Sequence, residues 1–238
     1  MEKLVKLLKA VIRWLKYCRE SEINHGPPSD DFMARQMSQM RVTQEDGTVP
    51  TSYPPKPIQE ETKTMQISIS SGHGLRVRGA AGILDEVNEA RRVTDRVAEI
   101  LRANGHAVNV FHDDSSTTVA QNINWLVAQH NRSDRDLDVS VHFNAFQPTD
   151  GPMGTEVLHR TGDGVAAGAA ARVTGAMARA GGFRARAVQP RDNLGFLLNC
   201  QQTPILLEVC FVDSRADADL YNQNFEAICQ GIAGALVG

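Results

Sequence analysis

The sequence predicts an α/β domain: a mostly parallel, twisted sheet with helices on both faces, preceded by an N-terminal amphipathic helix and a linker. Three observations predict it. From residue 66 onward, short apolar stretches alternate with helical patterns several turns long, the signature of strands joined by crossover helices. Residues 21–64 hold Pro27, Pro28, Pro50, Pro54, Pro55 and Pro57 among polar residues and show little periodicity. Residues 3–20 repeat apolar side chains at four-three spacing. The expected organisation is therefore a cationic helix over 1–22, a Pro-rich linker over 23–64 and a folded domain over 65–238.

The elements follow in order. Leu4, Leu8, Val11, Leu15 and Cys18 line one helical face, with Lys3, Lys6, Lys9, Arg13, Lys16 and Arg19 mainly opposite. Within the linker, 31–40 has the makings of a short helix. Gln66–Ser70 alternates apolar and polar residues, so it reads as a strand. Asp85–Ala103 has helical spacing and stops at Asn104-Gly105. His106–Phe111 is a strand, Thr117–His130 a helix, Leu137–His142 a strand and Thr155–His159 another. Gly164–Ala180 is an alanine-rich helix ending at Gly181-Gly182. Pro204–Phe211 is an apolar strand and Asp217–Val237 a closing helix. In such sheets, sites form beyond the carboxyl ends of the strands.

Composition narrows the function. Hydrophobic residues make up 42% of the 238, enough to fill a domain core, and the formal net charge of −3 gives no reason to expect nucleic-acid binding. Cys18, Cys200, Cys210 and Cys229 form no CxxC pair, which argues against a thiolate zinc site and for inert thiols. Lysine or arginine interrupts the N-terminal apolar run every three or four positions, too often for a signal peptide or a membrane span. Synthesis in the cytoplasm is the expectation, with separate delivery if the substrate lies outside. The cationic helix suits contact with an anionic membrane surface, self-association as a short coiled coil, or docking on the domain.

Four motifs carry the chemistry. Ser71-Gly72-His73-Gly74 follows a strand, and its glycines allow a sharp turn that leaves the imidazole exposed. Val139-Ser-Val-His-Phe-Asn-Ala145 puts Val139 and Val141 on one face of a strand, His142 on the other, and Asn144 just past the end. In Pro204-Ile-Leu-Leu-Glu-Val-Cys-Phe-Val212, every neighbour of Glu208 is apolar. A carboxylate there is costly unless metal-linked, protonated or paired, the alternative being a structural ion pair with a buried arginine. Asp85-Glu-Val-Asn-Glu-Ala-Arg91 opens a helix, where acidic residues are also stabilised by the helix dipole. Taken together, the motifs bring two histidines and two glutamates from four separate elements. Two histidines and a glutamate are a known ligand set for catalytic zinc, leaving a position for water and a further glutamate as general base.

In this order the motifs resemble the zinc-dependent N-acetylmuramoyl-L-alanine amidases of the amidase-3 type, found among bacterial autolysins and phage endolysins. The resemblance covers about residues 66–238 and includes Gly154-Thr-Glu156 before the last strand. It implies that His73, Glu86 and His142 hold Zn2+, that Glu208 is catalytic, and that Asn144 and Glu156 bind substrate or support the site. Glu89, one turn beyond Glu86, is the rival ligand. Where the family often carries aspartate-proline, this chain has Ser70-Ser71, which puts in question a carboxylate supporting the first histidine. The implied substrate is peptidoglycan, cut between N-acetylmuramic acid and L-alanine. The stretch between His159 and Leu194 is too short to add the plugging helix of regulated relatives, so an open cleft is expected, as suits a phage lysis enzyme. A cellular autolysin is the alternative of the same chemistry. A catalytically dead wall-binding module, which an intact Glu208 disfavours, is the alternative of a different class.

Overall fold

The computed structural model describes residues 63–238. The helix expected over 1–22 and nearly all of the linker over 23–64 lie outside the described residues. The elements are β1 (Gln66–Ser71), α1 (Glu86–Ala103), β2 (Ala107–Phe111), α2 (Val119–His130), β3 (Leu137–Asn144), β4 (Glu156–His159), α3 (Gly164–Gly181), β5 (Gln189–Pro190), α4 (Gly195–Asn199), β6 (Thr203–Phe211) and α5 (Arg215–Val237). They form one six-stranded sheet in the order β2-β1-β3-β6-β4-β5. β1, β2, β3 and β6 run parallel; β4 pairs antiparallel with β6. The parallel strands therefore deliver their carboxyl ends to one edge of the sheet.

Local chemistry sets the helix ends. Asp85, Thr118, Asp163 and Ser214 each accept a backbone N–H bond at the N-terminus of a helix. α3 ends on Gly182, whose φ of 72° is the left-handed cap that glycine tolerates. α5 is kinked at Asn224, whose amide donates to Gly181 and Leu220 carbonyls.

Both faces of the sheet are covered, for different reasons. On one face Ile67, Ile69, Val139, Val141, Val157, Ile205 and Leu207 pack against α1, α3 and α5, through Val93, Val97, Val173, Met177, Ile228 and Ile232. On the other, Leu158 and Leu206 meet Phe196, Leu197 and Cys200 beside a buried polar cluster. There Ser68 faces Asp138 and Ser70 faces Ser140 across β1 and β3. His130 of α2 places Nδ1 2.8 Å from Asp138 Oδ1 and Nε2 3.0 Å from Ser70 Oγ. Arg135 donates from Nε and Nη2 to the two Asp138 oxygens at 2.7 and 2.8 Å. The buried charges are thus paired and fully hydrogen-bonded, the condition for tolerating them. Cys200, Cys210 and Cys229 are free, buried thiols. No helix among the described residues is long and apolar enough to cross a membrane.

Candidate metal and catalytic centre

The carboxyl ends of β1, β3 and β6 meet the N-terminus of α1, and four sequence-selected side chains converge there. His73 follows β1, His142 lies in β3, Glu208 in β6, and Glu86 is the first residue of α1. His142 Nδ1 is 3.0 Å from Glu86 Oε1, and His73 Nε2 is 3.6 Å from the same oxygen. The two imidazoles meet edge to face with centroids 4.9 Å apart.

The glycines around His73 act through space as well as conformation. A methyl group on Gly72 would overlap the His142 ring, and one on Gly79 would overlap both Glu86 and His73. Glu86 is buried and oriented by the backbone: Ala80 N–H donates to Oε2 at 2.6 Å and Phe143 N–H to Oε1 at 3.1 Å. Glu89 points elsewhere, accepting from Tyr221 Oη and Arg92 Nη1, both at 2.7 Å. Asp85 caps the helix and pairs with Arg78. Asp85, Glu86 and Glu89 thus have three separate placements, and of the two rival glutamates only Glu86 reaches the histidines.

His142 and Glu208 are cross-strand neighbours, and Glu208 in turn faces Glu156 of β4. Partners in register point to the same side, so the three form a row. Glu208 Oε2 is buried with no hydrogen-bond partner. The arginine pairing considered for Glu208 goes instead to Glu156, whose Oε1 accepts from Arg186 Nε and Asn144 Nδ2, both at 3.1 Å. β3 runs on through Asn144, two residues past the expected end, and a bulge sets Asn144 opposite Phe211.

Burial and charge set the proton affinities. Burial, helped by the Glu86 and Glu156 charges, lifts the Glu208 carboxyl to about 7 against the opposing pull of His142. Burial also pushes Glu86 up, but the His142 bond, both imidazoles and the Ala80 N–H outweigh it and hold the carboxyl below its ordinary value. His142 is desolvated, yet Glu86 and Glu208 raise it overall. Burial and the His142 charge lower His73.

The donor set fits a zinc ion. One donor atom each from His73, Glu86 and His142 lies within 4.8 Å of the others. Zinc bonds of about 2.0–2.2 Å at tetrahedral angles place ligand atoms roughly 3.3–3.6 Å apart, close to the 3.0 and 3.6 Å separations seen here. The outer support is thin: His73 Nδ1 is buried without a well-formed hydrogen bond, although the Val77 backbone lies near the ring. Ser71, in the position where a carboxylate was in question, bonds His112 Nδ1 through Oγ at 2.8 Å. A second cluster of His130, Asp138 and Cys200 also has ligand-like separations. Both His130 nitrogens and both Asp138 oxygens are already bonded, and burial holds the Cys200 proton on, so this cluster is a structural pin.

The model of the N-acetylmuramoyl-L-alanine amidase family of the amidase-3 type matches residues 67–237. The chain belongs to this family. Two curated relatives from Clostridium perfringens, one described as an uncharacterized 38.4 kDa protein, are each 27% identical over 161 residues, 67% of this chain. The chain spans about half the length of these curated relatives, 47% and 46%. Among solved structures, the catalytic domain of the CD27L endolysin targeting Clostridia difficile superposes with a TM-score of 0.66 at 23% identity, over 73% of this chain and 97% of that one. The amidase AmiC2 of Nostoc punctiforme gives 0.63 at 21% identity, over 74% and 97%. The amidase CwlD of Clostridioides difficile, solved in complex with the GerS lipoprotein, gives 0.63 at 22%, over 73% and 96%. These likenesses establish the amidase-3 fold, an α/β architecture with the mostly parallel sheet the sequence predicts.

Arg186 and Gly79 are the site residues that sequence reasoning missed. Arg186 lies in no periodic element, and Gly79 sits in the loop between the first two motifs. Neither carries a local signal. Between His159 and Leu194 the chain forms only α3 and the two-residue β5.

Proposed function

We propose that residues 66–238 hydrolyse the amide between N-acetylmuramic acid and L-alanine in peptidoglycan, with zinc held by His73, Glu86 and His142. The observation that carries this reading is Glu208, half-buried with its Oε2 atom shielded from solvent and unpaired, beside two histidines and a glutamate in ligand array. Zinc bound there would supply Lewis acidity and a water of lowered pKa. Glu208 takes a proton from the attacking water and delivers it to the leaving amine nitrogen of L-alanine. Glu208 Oε2, shielded and without a hydrogen-bond partner, is free to take up and release that proton. Ala80 and Phe143 N–H groups keep Glu86 pointed at the histidines through the cycle. Asn144 and Arg186 hold Glu156 beside Glu208.

The short His159–Leu194 stretch, which holds only α3 and the two-residue β5, favours an open cleft, and with it an endolysin role. In that role the enzyme is made in the host cytoplasm and reaches the wall during lysis. The test is digestion of purified peptidoglycan with mass analysis of the released peptides, which must begin at L-alanine. Products that keep the muramic acid–alanine bond would instead mark a peptidase. Glu208→Gln should retain zinc and lose about 10²- to 10⁴-fold in rate; normal cleavage by that variant would defeat the mechanism.

A further inference from the structure

Arg186 is a strong cation beside a centre built largely from carboxylates and imidazoles, and its placement is elaborate. Residues 184–186 run alongside Thr155, with Thr155 N–H donating to Arg184 O at 3.0 Å and Arg186 N–H to Thr155 O at 2.9 Å. Gly154, at φ 102°, makes the approach possible, because a methyl group there would strike the Arg184 carbonyl. The guanidinium is then held on three sides. Nε donates to Glu156 Oε1 at 3.1 Å, Nη1 to Met153 O at 3.4 Å, and the Phe211 ring lies 5.1 Å from Cζ. Nη2 has no partner among the described residues, and the side chain is 34% exposed.

Pairing with Glu156 uses only the Nε edge of this arginine, and Asn144 donates to the same oxygen. A cation near a zinc site also works against the metal. The exposed Nη2 edge is left free to meet an anion from outside. Position says which one. Across the sheet the order is His142 on β3, Glu208 on β6, Glu156 on β4, then the 184–186 segment. Arg186 thus lies on the Glu208 side, where the proposed proton transfer puts the leaving amine. One to two strand spacings, about 5–10 Å, separate Glu208 from the guanidinium. Two residues of extended peptide span about 7 Å.

We propose that Arg186 is a specificity residue that binds a free carboxylate on the second residue of the leaving peptide, through the fork geometry that guanidinium offers carboxylates. The inference rests on the amidase reading above. A site built for a charged partner discriminates against the neutral analogue, and one charge-assisted hydrogen bond at a half-exposed position corresponds to about tenfold.

The test uses the full-length zinc-loaded protein and two substrates, N-acetylmuramoyl-L-alanyl-D-glutamate and its diamide. Wild type should favour the diacid by about tenfold or more in kcat/KM, mostly through KM. Arg186→Gln should bring the ratio to about one, and Arg186→Lys should restore part of it. A purely structural arginine would instead depress both substrates equally and leave the ratio intact, as would loss of Glu156 support; that result overturns the proposal. So does a wild-type enzyme that cleaves both substrates without preference. Failure of wild type to release any L-alanyl peptide from these substrates or from whole peptidoglycan would instead remove the amidase reading itself.

Discussion

Gly72→Ala isolates the part of the site that depends on close approach. Gly72 N–H donates to Val141 O at 2.8 Å, so its backbone is stitched to β3 and cannot retreat. The added methyl would overlap Nε2, Cε1 and Cδ2 of the His142 ring. That ring is also boxed in by the His73 imidazole and by Glu86. It must rotate out, or the loop must shift. Overpacking of this kind costs about 1–3 kcal/mol, and loss of backbone freedom in the unfolded chain returns about 0.4–1 kcal/mol. The metal-free protein should therefore lose at most about 2.6 kcal/mol, several degrees in Tm. Zinc binding should suffer far more, because one of three donors is displaced. Removing only a supporting hydrogen bond costs about 10- to 100-fold in metal affinity, so a displaced ligand should cost at least about 100-fold. Competition with a chromophoric chelator measures this directly. Gly105→Ala is the control: it has a φ of 84° and no neighbour within 4 Å, so it should lower stability by about 1–2 kcal/mol and leave zinc affinity alone. A Gly72→Ala protein that binds zinc within threefold of wild type would refute the close-approach argument.

Three further outcomes are expected. Glu86→Gln should abolish tight zinc binding, whereas Glu89→Gln should keep it and lose about 1–3 kcal/mol in denaturant melts, the worth of its Tyr221 bond; the reverse pattern would exchange the two roles. Burial lowers the His130 pKa below 6.5, so the unfolded chain takes up a proton there before the folded one does. That contribution to stability is complete above about pH 6.5 and is lost as pH falls toward the folded pKa. Urea melts of the metal-free protein between about pH 7 and 5 should accordingly show a steeper decline for wild type than for His130→Gln, and equal slopes would contradict the assignment.

Long-period features of this domain were legible and short ones were not. α1, α2, α3 and α5 each run through several turns of apolar spacing and begin at a capping side chain, so existence and boundaries could both be read from the sequence. α4 spans only Gly195–Asn199 and has no side-chain cap, and β5 is two residues long. Neither is long enough to display a period. Tertiary contacts make them: Phe196 and Leu197 close the core over Leu158 and Leu206, and β5 pairs with β4. The site divides in the same way. Glu208 stood out because a carboxylate among apolar strand residues is expensive wherever it lies. Glu86 and Glu89 were indistinguishable by helix position, because the selection is made by the Ala80 and Phe143 amides, which no local pattern reveals. Arg186 was invisible for the same reason, since Gly154 and Thr155 bring it in from about thirty residues away.

The parity of β3 ties fold and site together. Val139 and Val141 fill the apolar face under α1, and strand alternation then obliges Asp138, Ser140 and His142 to face the other way. Asp138 and Ser140 are buried mid-strand, where Asp138 is neutralised by Arg135 and bonded to His130. His142 is the same parity carried to the carboxyl end of the strand, where the imidazole meets Glu86 at the start of α1. A slip of one residue would expose Val139 and Val141 to the polar layer and point His142 into the core, so the apolar core that stabilises β3 also fixes the direction of the imidazole. The bulge just beyond the His142–Glu208 pair then sets Asn144 opposite Phe211, and its side-chain amide reaches Glu156. Precision at this centre therefore comes from the core packing beneath it, and substitutions at Val139 or Val141 should be felt at His142 even though neither touches a reacting atom.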